Sequence, residues 1–241
     1  MMKQLSQRLF GPLTLTAMGV NLVLGLWIVP PDKVQGELAR LVYIHPSVAW
    51  VALYVSFGTA AISSALYLWK RTRSVVMDRV AHCAMEVSVV FIALTLITGS
   101  IWGRPAWGVW WVWDARLTSS AILGVLALGY LALRRANDDP QLRARRSAVF
   151  GVLIAINVPI IHFSVQWWKT LHQGATVFTS NRTLLIHGIQ AWTLLISFIA
   201  FTMLFFWILR YRYRLEVLRE NIAGASLEEA LSARRREGAQ S

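Results

Sequence analysis

A single cysteine and a shortage of charge narrow what this chain can be. Cys83 is the only thiol in 241 residues and lies inside an apolar run, so neither an internal disulfide nor a thiolate metal cluster is available. Charged residues make up 15% of the chain against 56% hydrophobic ones, far too few for a soluble domain of this length, and the mean hydropathy is positive. Acidic residues are scarcer still, 12 against 24 basic ones, for a formal charge of +12. That excess does not describe a nucleic-acid surface: no basic stripe interleaves with polar, foldable sequence, and Lys and Arg cluster at the ends of apolar runs. Internal repeats and low-complexity linkers are missing as well, which predicts one domain over residues 1–241.

What is present is a set of six apolar runs, roughly 12–30, 46–68, 80–101, 117–133, 147–166 and 186–209. Each is near the ~20 residues that cross ~30 Å of hydrocarbon. Backbone polar groups cannot stay unpaired in lipid, so the runs predict an all-α integral membrane protein, a six-transmembrane-helix bundle. Lys3 and Arg8 ahead of the first run resemble the start of a signal peptide, but that run is long enough to span and reads as an uncleaved first helix.

Most of the basic residues fall in the N-terminus, in the loops Lys70 to Arg79 and Arg134 to Arg146, and in the tail 210–241. The other side holds only Lys33, Arg40, Arg104, Arg116, Lys169 and Arg182. The positive-inside rule therefore puts both termini in the cytoplasm and the loops 31–45, 102–116 and 167–185 on the opposite face. Asn137-Asp138-Asp139-Pro140 is turn chemistry in a plain connector. The tail mixes Glu216, Glu220, Glu228 and Glu229 with Arg219 and Arg234 to Arg236, the pattern of a surface helix or a frayed end, with partner docking as a lesser alternative.

The outward loop from Trp102 to Thr118 carries Trp102, Trp107, Trp110, Trp111 and Trp113 among the chain's twelve tryptophans. A short interfacial helix starting at Arg104-Pro105 would gather Arg104, Trp107, Trp110, Trp111 and Asp114 within an arc of roughly 120°, with Trp113 at its margin and Arg116 on the far side. One or two tryptophans would be an interfacial belt; five make a flat, polarisable shelf suited to a flat aromatic ligand.

The flanking outward loops each bring a histidine. Arg40-Leu-Val-Tyr43-Ile-His45-Pro46 puts His45 at the cap of the second helix, since Pro46 suits a first helical turn. Trp167-Trp168-Lys169-Thr170-Leu171-His172-Gln173-Gly174 puts His172 just past the end of the fifth. Of the other three, His82 reads as interfacial, His187 as a cap or a support for the site, and His162 as a polar residue near the site rather than a ligand. Glu86 lies about 24 Å along its helix from Trp102 and reads as a paired structural carboxylate rather than a proton relay.

Two neutral imidazoles without thiolates make a poor tetrahedral zinc site but an adequate axial pair for an iron held by a porphyrin. The same ligand accounts for the indole shelf, and it gives Arg40, Arg104, Arg116 and Lys169 its two propionates as partners.

The run Trp102-Gly103, Trp107, Trp111, Trp113-Asp114, Arg116 resembles the tryptophan-rich signature of the membrane proteins that handle haem in cytochrome c biogenesis. With Tyr43-Ile-His45-Pro46, Asn157-Val-Pro159-Ile-Ile-His162 and the His172 segment, the chain is most similar to the CcmC family. The likeness is good over residues 20 to 175 and extends to the sixth helix only in length and hydropathy. It implies a non-enzymatic protein that holds haem b at the periplasmic face of the bacterial inner membrane. Haem would pass to the chaperone CcmE, in company with the ABC transporter subunits CcmA and CcmB and the small membrane protein CcmD. Carried over by motif, His45 and His172 become axial iron ligands. Trp102, Trp107, Trp110, Trp111, Trp113 and Asp114 become the haem-contacting segment, with Arg40 and Arg116 as polar contacts. Two rivals remain: an enzyme attaching haem to cytochrome c, whose relatives have more helices and more intramembrane histidines, and a b-type electron-transfer subunit, whose ligands belong inside the helices.

Overall fold

A computed structural model describes residues 2–33, 35–69, 73–172 and 187–238. Six helical segments are long and apolar enough to cross a membrane: Leu9–Ile28, Glu37–Trp69, Val75–Trp107, Ala115–Arg135, Pro140–Trp167 and Gly188–Arg236. The helices are α1 (Met2–Val23), α2 (His45–Trp50), α3 (Phe57–Trp69), α4 (Val75–Trp107), α5 (Ala115–Arg135), α6 (Pro140–Ala155), α7 (Asn157–Trp167) and α8 (Gly188–Gly238). The end of the bundle that carries His45 and the tryptophan segment is called the upper end below.

Three spans are interrupted, and the interruptions shape the upper end. The first closes in a π-helical turn, Leu24–Ile28, just before Pro30. In the second, a 3₁₀ turn, Glu37–Tyr43, leads into α2, and a π-helical turn, Val51–Ser56, joins α2 to α3. The fifth breaks between α6 and α7, where Pro159 has no N–H to offer Ala155 and its ring crowds that carbonyl. Asn157 Nδ2 ties the break to α5 by donating to the Ser119 carbonyl at 2.9 Å.

α4 is the axis of the bundle. Its Cys83, Ala84, Met85, Val87, Phe91 and Ile92 are buried against the second span, α5 and α8, with Phe57, Tyr130 and Phe205 among the fully enclosed side chains. Small residues bring helices close: a β-carbon on Gly151 of α6 would stand 2.7 Å from Ser64 Oγ of α3. Apolar side chains on the outer faces, Ile62, Val90, Val125 and Leu153 among them, stay exposed, as lipid contact requires.

The lower end is fastened by ion pairs. Arg134 holds Asp78 bidentately at 2.6 and 2.9 Å, Arg212 holds Glu86 at 2.6 Å, and Arg79 reaches Glu220 at 2.8 Å. Glu86 is thus a paired carboxylate, and His82 stands 3.9 Å from both Glu86 and Glu216. The tail is helical and exposed over residues 221–229, and it continues the last span without a break, α8 running to Gly238.

The short interfacial helix expected from Arg104 does not form. α4 continues through Pro105 to Trp107, where Gly108 takes a left-handed conformation (φ 80°) and its N–H closes on the Arg104 carbonyl. Residues 109–114 then run without helix to Asp114, which caps α5. Pro105 can sit in the last turn because one lost hydrogen bond there, to Ile101, interrupts little.

Candidate functional site

At the upper end a cavity of about 440 Å³ opens between α2, α4, α5, α7 and α8. His45, His172, Trp102, Trp107, Trp111 and Arg116 line it together.

Pro46 in the first turn fixes His45 at the start of α2, and the imidazole lies against α4. It fits there because position 99 is glycine: a β-carbon would approach His45 Cε1 to 3.0 Å. The neighbouring Thr98 fixes the tautomer. Its hydroxyl donates to the Leu94 carbonyl at 2.7 Å, so its oxygen accepts the His45 Nδ1–H at 3.0 Å. Nδ1 is thereby the protonated nitrogen, and Nε2 carries the lone pair that a metal needs.

His172 comes from the other end of the chain to meet it. The two ring centres are 6.4 Å apart with their planes tilted by 43°. Metal–nitrogen bonds of about 2 Å, with roughly 1 Å more from each nitrogen to its ring centre, give a spacing of about 6 Å for two imidazoles on opposite sides of one metal ion. Among the described residues no group of three or more His, Cys, Asp or Glu is placed to hold a bare metal ion.

Indoles frame the pair. Trp102 stands edge-on to His45 at 5.9 Å and donates Nε1–H to Gln35 Oε1 at 3.0 Å, linking α4 to the first upper loop. Trp107 lies 6.1 Å from His172, its ring folded back over Gly103, where a β-carbon would come within 3.0 Å of it. Trp111 Nε1 is buried with no hydrogen-bond partner, a donor that suits an acceptor on a ligand in the cavity.

Two of the five tryptophans lie elsewhere. Trp110 and Trp113 do not line the cavity and are 58% and 79% exposed, Trp113 set edge-on against Trp111 at 5.4 Å. Asp114 also does not line the cavity; it braces the wall. One carboxylate oxygen caps α5 by accepting Leu117 N–H at 2.8 Å, and the other accepts Leu171 N–H at 3.1 Å, one residue from His172.

The cations divide in the same way. Arg116 faces the cavity, and its guanidinium makes no hydrogen bond to any described residue. Arg40 instead closes the end of the first span, donating to the Gly25 and Val29 carbonyls at 2.7 and 2.9 Å and pairing with Glu37. Arg104 turns to the Gly108 carbonyl, and Lys169 is exposed outside the cavity. Arg182 lies outside the described residues.

Sequence reasoning placed His162 near the site and missed Tyr54. Tyr54, below Trp50 on the second span, hydrogen-bonds His162 Nδ1 on α7, and both face the cavity. An isolated histidine in an apolar run points outward or inward according to a helix break whose angle sequence does not reveal.

A family model described as "Heme exporter protein C", CcmC, matches residues 1–228. The chain belongs to the CcmC family. It is 38% identical over 219 residues to the heme exporter protein C of Haemophilus influenzae, spanning 88% of this chain and 85% of that one. Against the heme exporter protein C of Bradyrhizobium diazoefficiens it is 40% identical over 215 residues, 88% and 80% of the two chains. A putative cytochrome c biosynthesis ccmC-like mitochondrial protein of Marchantia polymorpha is 40% identical over 163 residues, 68% of this chain and 67% of that one.

The CcmC family description implies an iron porphyrin, and the residues present fit one. Two imidazoles at axial spacing, a flat indole wall, an unpartnered indole donor and a guanidinium match a disc that is apolar over its faces and acidic at one edge.

Proposed function

We propose that the chain holds haem b between His45 and His172 at the periplasmic face of the bacterial inner membrane and passes it to the chaperone CcmE, carrying out no covalent chemistry itself. The observation that carries this reading is the 6.4 Å separation of the two imidazoles across a cavity walled by Trp102, Trp107 and Trp111. The excess of Lys and Arg at the lower end supports placing that end, and both termini, in the cytoplasm. CcmA, CcmB and CcmD are the partners that family membership suggests.

Each residue then has a task. His45, in the tautomer set by Thr98, supplies one axial nitrogen, and His172 supplies the other from a loop. Arg116 and Trp111 Nε1 offer donors to the propionates. His45 opens a rigid helix whereas His172 sits in an irregular segment, so a partner that pulls on the third loop can weaken the grip without disturbing the bundle. Arg40, committed to the end of the first span, supports the wall rather than the ligand.

The test is the visible spectrum of the purified protein. Wild type is expected to show a six-coordinate bis-imidazole haem, and His45→Ala and His172→Ala are each expected to lose it while staying membrane-inserted. An unchanged spectrum in both variants would remove the ligand assignment. Thioether-linked haem formed on an apocytochrome by the protein alone would favour the enzyme reading instead.

A further inference from the structure

His162 has no part in the ligation described above. It lies inside the fifth span, five positions before α7 ends at Trp167, about 8 Å below that end at 1.5 Å per residue. An ionisable side chain at such depth is costly and marks a functional position with a named partner. Its partner is across the cavity: the Tyr54 hydroxyl meets Nδ1, with the rings edge to face at 5.9 Å. Ile161 and Ser164 turn into the bundle, 1% and 0% exposed, and His162 faces sideways, exposed, into the cavity.

The arrangement resembles that of His45, except that the Tyr54 hydroxyl, unlike that of Thr98, has no second acceptor among the described residues. In both, Nδ1 is engaged by a hydroxyl oxygen, and Nε2 makes no hydrogen bond to a described residue. When Nδ1–H donates to the phenolic oxygen, Nε2 is free to bind a metal, and an outer oxygen that fixes the tautomer in this way typically strengthens ligation.

The pair sits on the flank between the second and fifth spans. α7 packs on α5 and α6, whereas α2 and the π-helical turn below it pack on α4 and α8, so the fifth and second spans part at the upper end. The cavity reaches into that parting, bordered by Trp50 and Leu53 on one side and by Val165 on the other. Trp50 and Tyr54, which line it there, are 37% and 38% exposed.

We propose that His162 is a second, lower iron ligand, reached from the lipid between the second and fifth spans, where an iron porphyrin is held before it moves up to His45 and His172. This rests on the reading of the cavity as a haem site. The transfer is a ligand substitution: the iron–Nε2 bond of His162 breaks as a bond to a loop imidazole forms, and the iron keeps its oxidation state. Tyr54 is the positioning residue that holds the His162 ring at the cavity.

The experiment uses the full chain in detergent and phospholipid vesicles loaded with haem as donor. The His45→Ala/His172→Ala double variant is expected to take up haem at several-fold reduced occupancy with a five-coordinate, high-spin spectrum. Adding His162→Gln should lower that occupancy at least tenfold, and adding Tyr54→Phe should lower it less. In an otherwise wild-type chain, His162→Gln should slow uptake from the vesicles several-fold. A double variant that takes up no haem, or whose occupancy ignores His162→Gln, overturns the proposal, as does unchanged uptake by the single variant. Absence of a bis-imidazole spectrum in wild type would instead overturn the parent reading.

Discussion

The Asp114 carboxylate accepts the backbone N–H of Leu171, 57 positions further along the chain, at 3.1 Å. Its other oxygen caps α5, so a single side chain fixes the end of the tryptophan segment, the start of a helix and the approach to His172. Asp114→Ala is expected to reduce bound haem several-fold and to cost about 1 kcal/mol of stability from the lost cap. Added imidazole should restore the six-coordinate spectrum, because what is lost is the placement of one ligand. Asp114→Asn, which keeps one acceptor oxygen, should retain more haem than the alanine variant.

Gly99 tests the fit of His45 against α4. Gly99→Ala puts a β-carbon 3.0 Å from Cε1, which tilts the imidazole away from its position. Haem occupancy measured by pyridine haemochrome should drop, with helical content by circular dichroism unchanged. Wild-type occupancy in Gly99→Val would mean that the ring does not need its present place.

Thr98 sets the His45 tautomer, and Thr98→Val removes the acceptor of Nδ1–H while keeping the shape of the side chain. Loss of a partner of this kind typically costs 10- to 100-fold in metal affinity. A competition titration with apomyoglobin should therefore show haem leaving Thr98→Val faster than wild type. Equal retention would argue that the Thr98 bond is incidental.

The lower end offers a contrast in which stability moves and ligand affinity does not. Arg134 is 7% exposed and Asp78 13%, and breaking a buried pair by removing one partner typically costs about 3–5 kcal/mol. Arg134→Ala should lower the unfolding temperature in detergent markedly, while the fraction that folds binds haem as wild type does. Asp78→Asn in the Arg134→Gln background should recover part of the loss.

Six spans, the loop histidines and the tryptophan cluster were legible in the sequence because each depends on composition or on residues close together in the chain. Three features were not. Pro105 reads as a helix start because proline favours a first turn, yet α4 absorbs it near its end, and the predicted indole shelf is replaced by a bent segment that sends Trp110 and Trp113 outward. Arg40 reads as a propionate contact because it is a cation beside His45, but the carbonyls at the end of the first span, distant in sequence, lie within its reach. His162 reads as a polar residue near the site, where it lies, but nothing local reveals that the break at Ile156 turns it towards Tyr54.

Gly108 has a consequence for the wall of the cavity. At φ 80° it stops α4 at Trp107 and turns the chain, and Trp111, three residues on, lines the cavity. Any residue with a side chain disfavours that torsion. If α4 wound on by another turn, Trp111 would be carried away from the cavity it lines. A single dihedral angle thus decides whether that indole belongs to the wall.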